Sequence, residues 1–342
     1  MGKVIFLALL FWLPVAAPAQ DAWTLKVATL APEGTGWVKA MTGWADRVDR
    51  ESRGRLKIKL YPGGITGDEP DVLRKIRFGQ LQGAAITGHG IGMIYSPARV
   101  LEMPFLFQGY GELDAVRNQL SPEFGAGFRQ HGFELVGWLD VGPVHLFSKS
   151  PIHSIDDLSQ HRIWLWEGDE LAEAFFAVSR LHPIPLSIIK VFAGLSGGAI
   201  DTIYAPPLAA IDMQWFTETP YVSDAAITDG IGALVVARQF YDRLPQDLQT
   251  LLSRTGREVA ARMIRETRED NQKGLAMLKD YGLQVVPWTG GDEKRVVDLR
   301  DRAEATLAKQ SYIPANLFQR VRRMLEEYRG GVQPTSRLPA AR

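Results

Sequence analysis

One segment of this 342-residue chain, a serine flanked by glycines, has the spacing of a known catalytic motif. Gly194-Leu195-Ser196-Gly197-Gly198 matches G-x-S-x-G, the spacing of a nucleophile elbow that presents a serine hydroxyl for acyl transfer. That elbow requires a strand before the serine and a helix after it. Here the sequence predicts a helix before Ser196 and a strand after it. We therefore interpret the glycines as the C-terminal cap of a helix.

The six histidines do not form a metal-binding pattern. They contain no H-E-x-x-H motif and no i, i+4 pair, and the chain has no cysteine. The glycine-rich stretch at 88–92 lacks the G-x-G-x-x-G spacing of a dinucleotide site. We expect no metal, no cofactor and no catalytic residue. His89 is nevertheless a candidate ligand contact, because it follows a buried strand, where open α/β sheets bind their ligands.

Aromatic residues in loops that follow strands indicate a binding site more strongly. APEGTGW (31–37), TGHG (87–90), MPFLF (103–107) and YAPPL (204–208) are rich in aromatic residues, glycine or proline and poor in charge. Several such loops together form a concave, mostly apolar pocket. The candidate wall residues are Trp37, Phe105, Phe107, Trp164, Tyr204 and Trp215. Phe105 and Phe107 could also lie in the core, and for one of them we prefer that interpretation.

His89, Tyr204 or Asp201 could orient a polar end of the ligand by a hydrogen bond. For Asp201 we prefer a structural turn contact.

The elements that must position these residues alternate as in an α/β protein. The first segments are a strand at 23–30, a helix at 38–51, a strand at 56–61, a helix at 68–82 and a strand at 83–87. This order predicts a parallel sheet with helices on its faces. FELVGWLD and VHLFSK predict two further strands at 133–140 and 144–149. One long helix is expected at 246–281, followed by a strand at 283–288 and helices near 292–309 and 314–329.

The composition and the N-terminus are those of an exported protein. The 39 basic and 39 acidic residues leave no basic excess for nucleic acid. Lys3, a short apolar run and Ala17-Pro18-Ala19 predict a signal peptide at 1–19. The run is shorter than the roughly 20 residues of a membrane-spanning helix, although an uncleaved anchor is the alternative. We expect a soluble periplasmic protein without disulfides and with a flexible tail at 330–342.

Several stretches together resemble the solute-binding proteins of TRAP (tripartite ATP-independent periplasmic) transporters, the DctP-like family. They are KVATLAPEGTGW, LKIKLYPGGITGDEPDVLRKIRFGQLQGAAIT, MPFLF, SPIHSIDDLSQHRI and GGAIDTIYAPP. The resemblance covers about 22–329 and implies a two-lobed periplasmic-binding-protein fold, with a long helix spanning both lobes. It implies a ligand between the lobes, hinge closure and no catalysis. We expect lobe 1 to comprise 20–145 plus 233–258, and lobe 2 to comprise 146–232 plus 259–329.

The chain departs from the family at two positions that usually hold a polar ligand group. Family members usually read D-L-K-G-x-K-I-R-V-P where this chain reads DLSQHRIWLW at 157–166. The family's lysine falls on Arg162, and its ligand-binding arginine falls on Trp164. That arginine clamps a carboxylate with two hydrogen bonds, which tryptophan cannot do. The family's G-x-x-D-G-x-x-N-P becomes GAIDTIYAP at 198–206, so that its asparagine is replaced by Ala205.

These departures predict a hydrophobic ligand, such as a sterol, another polycyclic lipid or a fatty-acid-like molecule. The chain resembles family branches that lack the arginine, for which the implied partners are membrane transporter subunits and, in some branches, a tetratricopeptide-type helical protein. One alternative is a conventional acid-binding protein in which Arg162 or Arg99 replaces the lost arginine. Another is a scaffold or sensor that binds no small ligand.

Overall fold

The computed structural model describes residues 22–289 and 293–331. The expected signal peptide, and the expected tail beyond Gly331, lie outside the described residues. The strands in the described residues are β1 (Trp23–Thr29), β2 (Leu56–Tyr61), β3 (Gly83–Thr87), β4 (Phe133–Ser148), β5 (Trp164–Trp166), β6 (Ile184–Leu186), β7 (Thr202–Ala205), β8 (Tyr221–Ser223), β9 (Thr228–Ala237) and β10 (Gln284–Val286). The α-helices are α1 (Gly36–Ser52), α2 (Glu69–Arg77), α3 (Gly88–Tyr95), α4 (Tyr110–Gln130), α5 (Glu170–Val178), α6 (Val191–Ser196), α7 (Pro207–Asp212), α8 (Arg238–Tyr241), α9 (Gln246–Asp280), α10 (Glu293–Lys309) and α11 (Ala315–Arg329).

The sheet has two regions that share β4. In the first region, β1 pairs in parallel with β2 and β3, as the alternation of elements predicts, and β9 runs antiparallel between β3 and β4. In the second region, the end of β4 pairs with β7 and β8, and β10 is parallel to β8. The first region and its helices form the first lobe. The second region, with the separate β5–β6 pair, forms the second lobe of a two-lobed α/β fold.

β4 is one strand of 16 residues, whereas the sequence predicts two. Gly142-Pro143 suggests a turn, but Gly142 stays paired with Gly230 and Pro143 with Asp229. Bulges interrupt the register around Val136 and between Asp140 and Gly142. Bulges accommodate a glycine with positive φ inside a strand, and Gly142 has a φ of 120°. The strand therefore continues from one lobe into the other.

The long helix α9 matches its predicted range within one residue and contacts both lobes. Its first half packs against α1 in a core cluster that includes Leu252 and Val259. Farther along, Asn271 donates to the carbonyl of Val141 (2.9 Å) and accepts from the amide of Leu208 (3.1 Å). Leu278, near its end, belongs to the core cluster of the second lobe. The helix thus crosses the junction beside β4.

Helix α3 was not expected, because the sequence at 87–90 predicts a loop. Glycines lower the helix propensity of this segment. The Thr87 hydroxyl nevertheless caps the helix by accepting from the His89 amide (3.3 Å), and Gly88 directly follows β3. His89 therefore lies in the first turn of a helix.

Helix α4 was also not anticipated. It contains Pro122 and several glycines, all of which weaken a helical pattern. The last two helices follow their predicted ranges, with α10 packing on α5 and α11 on α4. They close the fold by contacting elements that flank the junction of the lobes.

Candidate functional site

A cavity of about 250 Å³ lies between the lobes. One water molecule needs only about 10–15 Å³ by the same kind of measure, so the space is large enough for an organic solute. The first lobe contributes the residues that follow β1 and β3, and the second contributes β5, the end of β7, and residues of α5 and α7. The carboxyl ends of parallel strands are where α/β folds place their ligands.

Stacked aromatic side chains form the second-lobe wall of this cavity. Trp164 is 2% exposed, and its ring centroid lies 5.0 Å from that of Tyr204, 5.7 Å from that of Trp215 and 5.8 Å from that of Trp166. Trp164 Nε1 donates to the carbonyl of Leu186 (2.9 Å). The Tyr204 hydroxyl accepts from the backbone amide of Trp166 (3.1 Å). The protein itself thus provides partners for these polar atoms, and the wall offers mainly apolar surface to a solute.

The structure brings together most, but not all, of the predicted contacts. The lining includes Trp37, His89, Trp164, Tyr204 and Trp215.

Phe105 and Phe107 are not in the lining, because both pack against the hydrophobic core. The Phe105 ring lies 6.0 Å from that of Phe175, which does line the cavity together with its neighbour Phe176. The sequence does not identify this pair as site residues. Periodicity cannot distinguish an apolar face of α5 that packs on a core from one that lines a cavity.

Within residues 22–289 and 293–331, Arg99 is the one lysine or arginine that lines the cavity. It is 4% exposed and lies in the short 3-10 segment Ser96–Glu102. Its two terminal nitrogens donate to the two oxygens of Asp169, each at 3.1 Å, and its Nε lies 2.7 Å from Glu102 Oε2. Burial alone would raise the pKa of Asp169, but the Arg99 guanidinium outweighs it and holds that pKa low. The guanidinium is therefore already occupied by carboxylates of the protein.

The N-terminus of α3 is occupied in the same way. The Glu69 carboxylate accepts from the amides of Thr87 and Gly90, both at 2.6 Å. A side chain at position 90 would come within 2.7 Å of Glu69 Oε2, so glycine permits this approach. Burial raises the pKa of Glu69 to about 7, although these hydrogen bonds oppose the shift. Glu69 thus lies where a helix N-terminus would otherwise bind a ligand anion.

His89 has a ring nitrogen without a partner in the described part of the chain. The side chain is 4% exposed, and its ring lies 4.9 Å from that of Trp166. Its Nε2 is buried and makes no hydrogen bond. Burial lowers the pKa of His89, and Asp169 opposes that shift. The imidazole is therefore neutral at pH 7.

The two positions at which the sequence is expected to depart from the family motif lie in the cavity wall, whereas Arg162 does not. Trp164 and Ala205 both line the cavity. The Arg162 side chain is 57% exposed and donates to Asp201 Oδ2 at 3.2 Å. Asp201 also accepts from the Arg162 amide (2.9 Å), so its contact is structural but joins segments 39 positions apart rather than lying within a turn.

Other features with possible chemistry are accounted for by the fold. Ser196 ends α6, Gly197 is the C-cap, and β7 follows, which confirms the helix-cap interpretation. In the described ranges, no group of three or more His, Asp or Glu side chains could hold a metal ion. No described helix combines the length and the apolar composition that a membrane crossing requires.

Comparison with known sequences identifies one family. The family described as "DctP: Bacterial extracellular solute-binding protein, family 7" matches residues 27–309. Among curated proteins, the chain is similar to the sialic acid-binding periplasmic protein SiaP of Vibrio cholerae. The two are 22% identical over 281 residues, which cover 80% of this chain and 85% of SiaP.

Comparison with solved structures gives the same fold. A TRAP periplasmic solute-binding protein of Pseudomonas putida F1 with bound D-glucuronate aligns with a TM-score of 0.78 and 20% identity, covering 87% of this chain and 96% of that one. One from Ralstonia eutropha H16 with bound (S)-2-acetolactate aligns with a TM-score of 0.81 and 18% identity, covering 89% and 99%. With its matched family profile and its two-lobed fold, the chain belongs to the DctP family of bacterial extracellular solute-binding proteins.

Proposed function

We propose that this protein is a periplasmic solute-binding protein of a TRAP-like system that binds a hydrophobic, lipid- or sterol-like solute. It would close over the solute by moving its two lobes and pass it to or from membrane transporter subunits, with a tetratricopeptide-type helical protein as a further candidate partner. The supporting observation is the Trp164 stack, which takes the place of the family's arginine in a cavity whose guanidinium is already paired. In this proposal the chain belongs to a divergent branch of the family.

Among the residues that the structure describes, no cation in the cavity lining is available to a ligand, which argues against an organic acid. A buried carboxylate needs a charged or hydrogen-bonding partner, and without one its burial costs several kcal/mol, by an order-of-magnitude estimate. Arg99 is held by Asp169 and Glu102, and Glu69 occupies the N-terminus of α3. Arg162 is paired with Asp201 outside the lining.

A conventional acid-binding protein is the alternative, because the relatives named above bind sialic acid, D-glucuronate and acetolactate. It would require Arg99 to exchange its own carboxylates for that of the ligand.

The test is to identify the solute and then to disrupt the aromatic wall. Lipid extraction and native mass spectrometry of the protein purified from its own host should recover an apolar molecule. Trp164→Arg should weaken its rebinding at least about tenfold, because a buried guanidinium would lie against apolar surface. Trp288→Arg, outside the lining, is the matched control and should leave binding unchanged. Recovery of a bound dicarboxylate, together with its loss on Arg99→Lys, would establish the alternative.

A further inference from the structure

We infer that the polar end of the solute is a neutral hydroxyl group that hydrogen-bonds to His89 Nε2, and that the carboxylates around it exclude an acidic head group. This inference rests on the proposed function, since it assigns the head group of the same hydrophobic solute. It goes further by naming the chemistry that distinguishes one apolar solute from another at this site.

The first observation is the unpaired nitrogen of His89. Buried polar atoms in folded proteins nearly always have a hydrogen-bond partner, and one without a partner requires an explanation. His89 is one of the residues that line the cavity, and its Nε2 is buried without a partner among the described residues. The imidazole ring packs on Trp166, which fixes its position beside the aromatic wall. A solute that lies along this wall would bring one end to the free nitrogen.

The neutral state of the ring favours a hydroxyl. A neutral imidazole has one nitrogen that donates and one that accepts, and either arrangement can place the donor or the acceptor at Nε2. A hydroxyl both donates and accepts, so it pairs with His89 in either tautomer. A carboxylate only accepts and an ammonium only donates, so each pairs with one tautomer only.

The charges near His89 select against an acid. Three buried carboxyl groups, those of Glu69, Glu102 and Asp169, line the cavity together with the single guanidinium of Arg99. The two features that could hold an anion, this guanidinium and the N-terminus of α3, are both bound by these groups. Asp212 also lines the cavity, so a ligand carboxylate would add a fifth acidic group to a site without a free cationic partner among the described residues.

The same surroundings give an ammonium little advantage over an alcohol. Asp169 and Glu102 are already paired with Arg99, and burial raises the pKa of Glu69 to about 7, which reduces its negative charge near neutral pH. Asp212 also lines the cavity, but it is not among the charges that act on His89. An ammonium placed at His89 would therefore lose its hydration without gaining an unpaired carboxylate there. A hydroxyl keeps one hydrogen bond and adds no charge.

Chain-matched probes separate these head groups. The concentrations at which dodecanol, dodecanoate, dodecylamine and methyl dodecyl ether displace the neutral fluorescent probe N-phenyl-1-naphthylamine would be compared at pH 8. The ether is nearly the same size as the alcohol but cannot donate a hydrogen bond. Dodecanol should displace the probe at a concentration at least about tenfold lower than dodecanoate, and about threefold or more lower than the ether or the amine.

Variants of His89 test the assigned contact. In His89→Phe, the advantage of dodecanol over the ether should disappear, while the ether itself binds as before. His89→Asn retains a donor and an acceptor and should retain part of the advantage, which keeps the test valid if the phenylalanine variant does not fold. His182→Phe changes an exposed histidine outside the lining and should alter nothing.

The outcomes distinguish this inference from the proposed function. If dodecanoate or dodecylamine binds more tightly than dodecanol, or if His89→Phe leaves the advantage of the alcohol intact, the head-group assignment is wrong and a hydrophobic solute remains possible. If none of the four probes displaces the fluorescent ligand, a hydrophobic solute is itself contradicted.

Discussion

At the scale of single residues, the pairing of Arg99 decides which solutes the cavity admits. The planar guanidinium would be well suited to clamp a ligand carboxylate, but Asp169 already makes both of its hydrogen bonds with it. Breaking such a buried pair leaves an uncompensated buried charge. It therefore costs more free energy than breaking an exposed pair of the same geometry. The cavity therefore contains an arginine without offering it to a ligand.

Removing the charge of Asp169 should make Arg99 available. In Asp169→Asn, the amide oxygen still caps α5, because asparagine caps helices as well as aspartate does. We expect dodecanoate to bind about three- to tenfold more tightly in the displacement assay, since one of the two competing carboxylates is gone. Asp157→Asn, which changes an aspartate outside the lining, is the control. Unchanged or weaker binding of dodecanoate would show that Arg99 does not govern the choice of solute.

The aromatic residues of the cavity wall could be predicted from the sequence, but the ion pairs of the charged lining residues could not. Comparison with the family motif predicts a ligand contact for Trp164, and the structure puts this residue in the cavity lining. No local pattern shows that Arg99 pairs with Asp169, which lies 70 positions away in the chain. Sequence periodicity predicts which face of an element is buried, but not which distant element packs against that face. Ion pairs between distant elements can therefore be identified only from the fold.

At the scale of elements, local signals predicted most helices and strands, and they failed where glycine or proline occurs inside an element. The parallel order of β1, β2 and β3 and the range of α9 follow from apolar periodicity. The sequence predicts two strands separated at Gly142-Pro143, but pairing with β9 keeps β4 continuous through these residues. That pairing brings Asp229 next to the ion pairs of Asp140, which is bonded to Arg117 and Arg268.

Asp229 makes the junction of the two lobes sensitive to pH. Burial raises its pKa to about 6, and the nearby charge of Asp140 adds to the shift. The folded state thus binds the proton more tightly than the unfolded state, so this group lowers the free energy of unfolding as pH rises from about 4 through 6. Asparagine does not titrate. The stability of Asp229→Asn relative to the wild type should therefore increase across this window and level off above about pH 7.

Urea unfolding of both proteins at several pH values between 4 and 8 measures this difference. Asp247→Asn is the control, because the hydrogen bond from Arg55 lowers the pKa of Asp247 and moves its effect to pH values below this window. A stability difference for Asp229→Asn that does not change with pH would contradict the prediction.

At the scale of the whole molecule, one side chain joins the two lobes beside residues that line the cavity. Asp68 Oδ1 caps α2 in the first lobe by accepting from the Glu69 amide (2.7 Å). Its Oδ2 accepts from three donors of the second lobe: Trp166 Nε1 (3.2 Å), the Ser187 hydroxyl (2.5 Å) and the Ile188 amide (3.1 Å). The Arg99–Asp169 pair also crosses between the lobes. This arrangement of the two lobes is thus held by polar contacts that do not require a ligand.

Asp68→Asn should open the molecule without unfolding it. The amide oxygen can still cap α2, but the amide nitrogen replaces Oδ2 and faces three donors, so the contacts across the lobes are lost. The radius of gyration measured by small-angle X-ray scattering should increase, and the apolar solute should dissociate at least about tenfold faster, because buried donors without a partner disfavour closure. Asp71→Asn, in the first turn of the same helix and paired only with nearby Arg74, should change neither quantity. If Asp68→Asn behaves like Asp71→Asn, the closed state depends on packing between the lobes rather than on these hydrogen bonds.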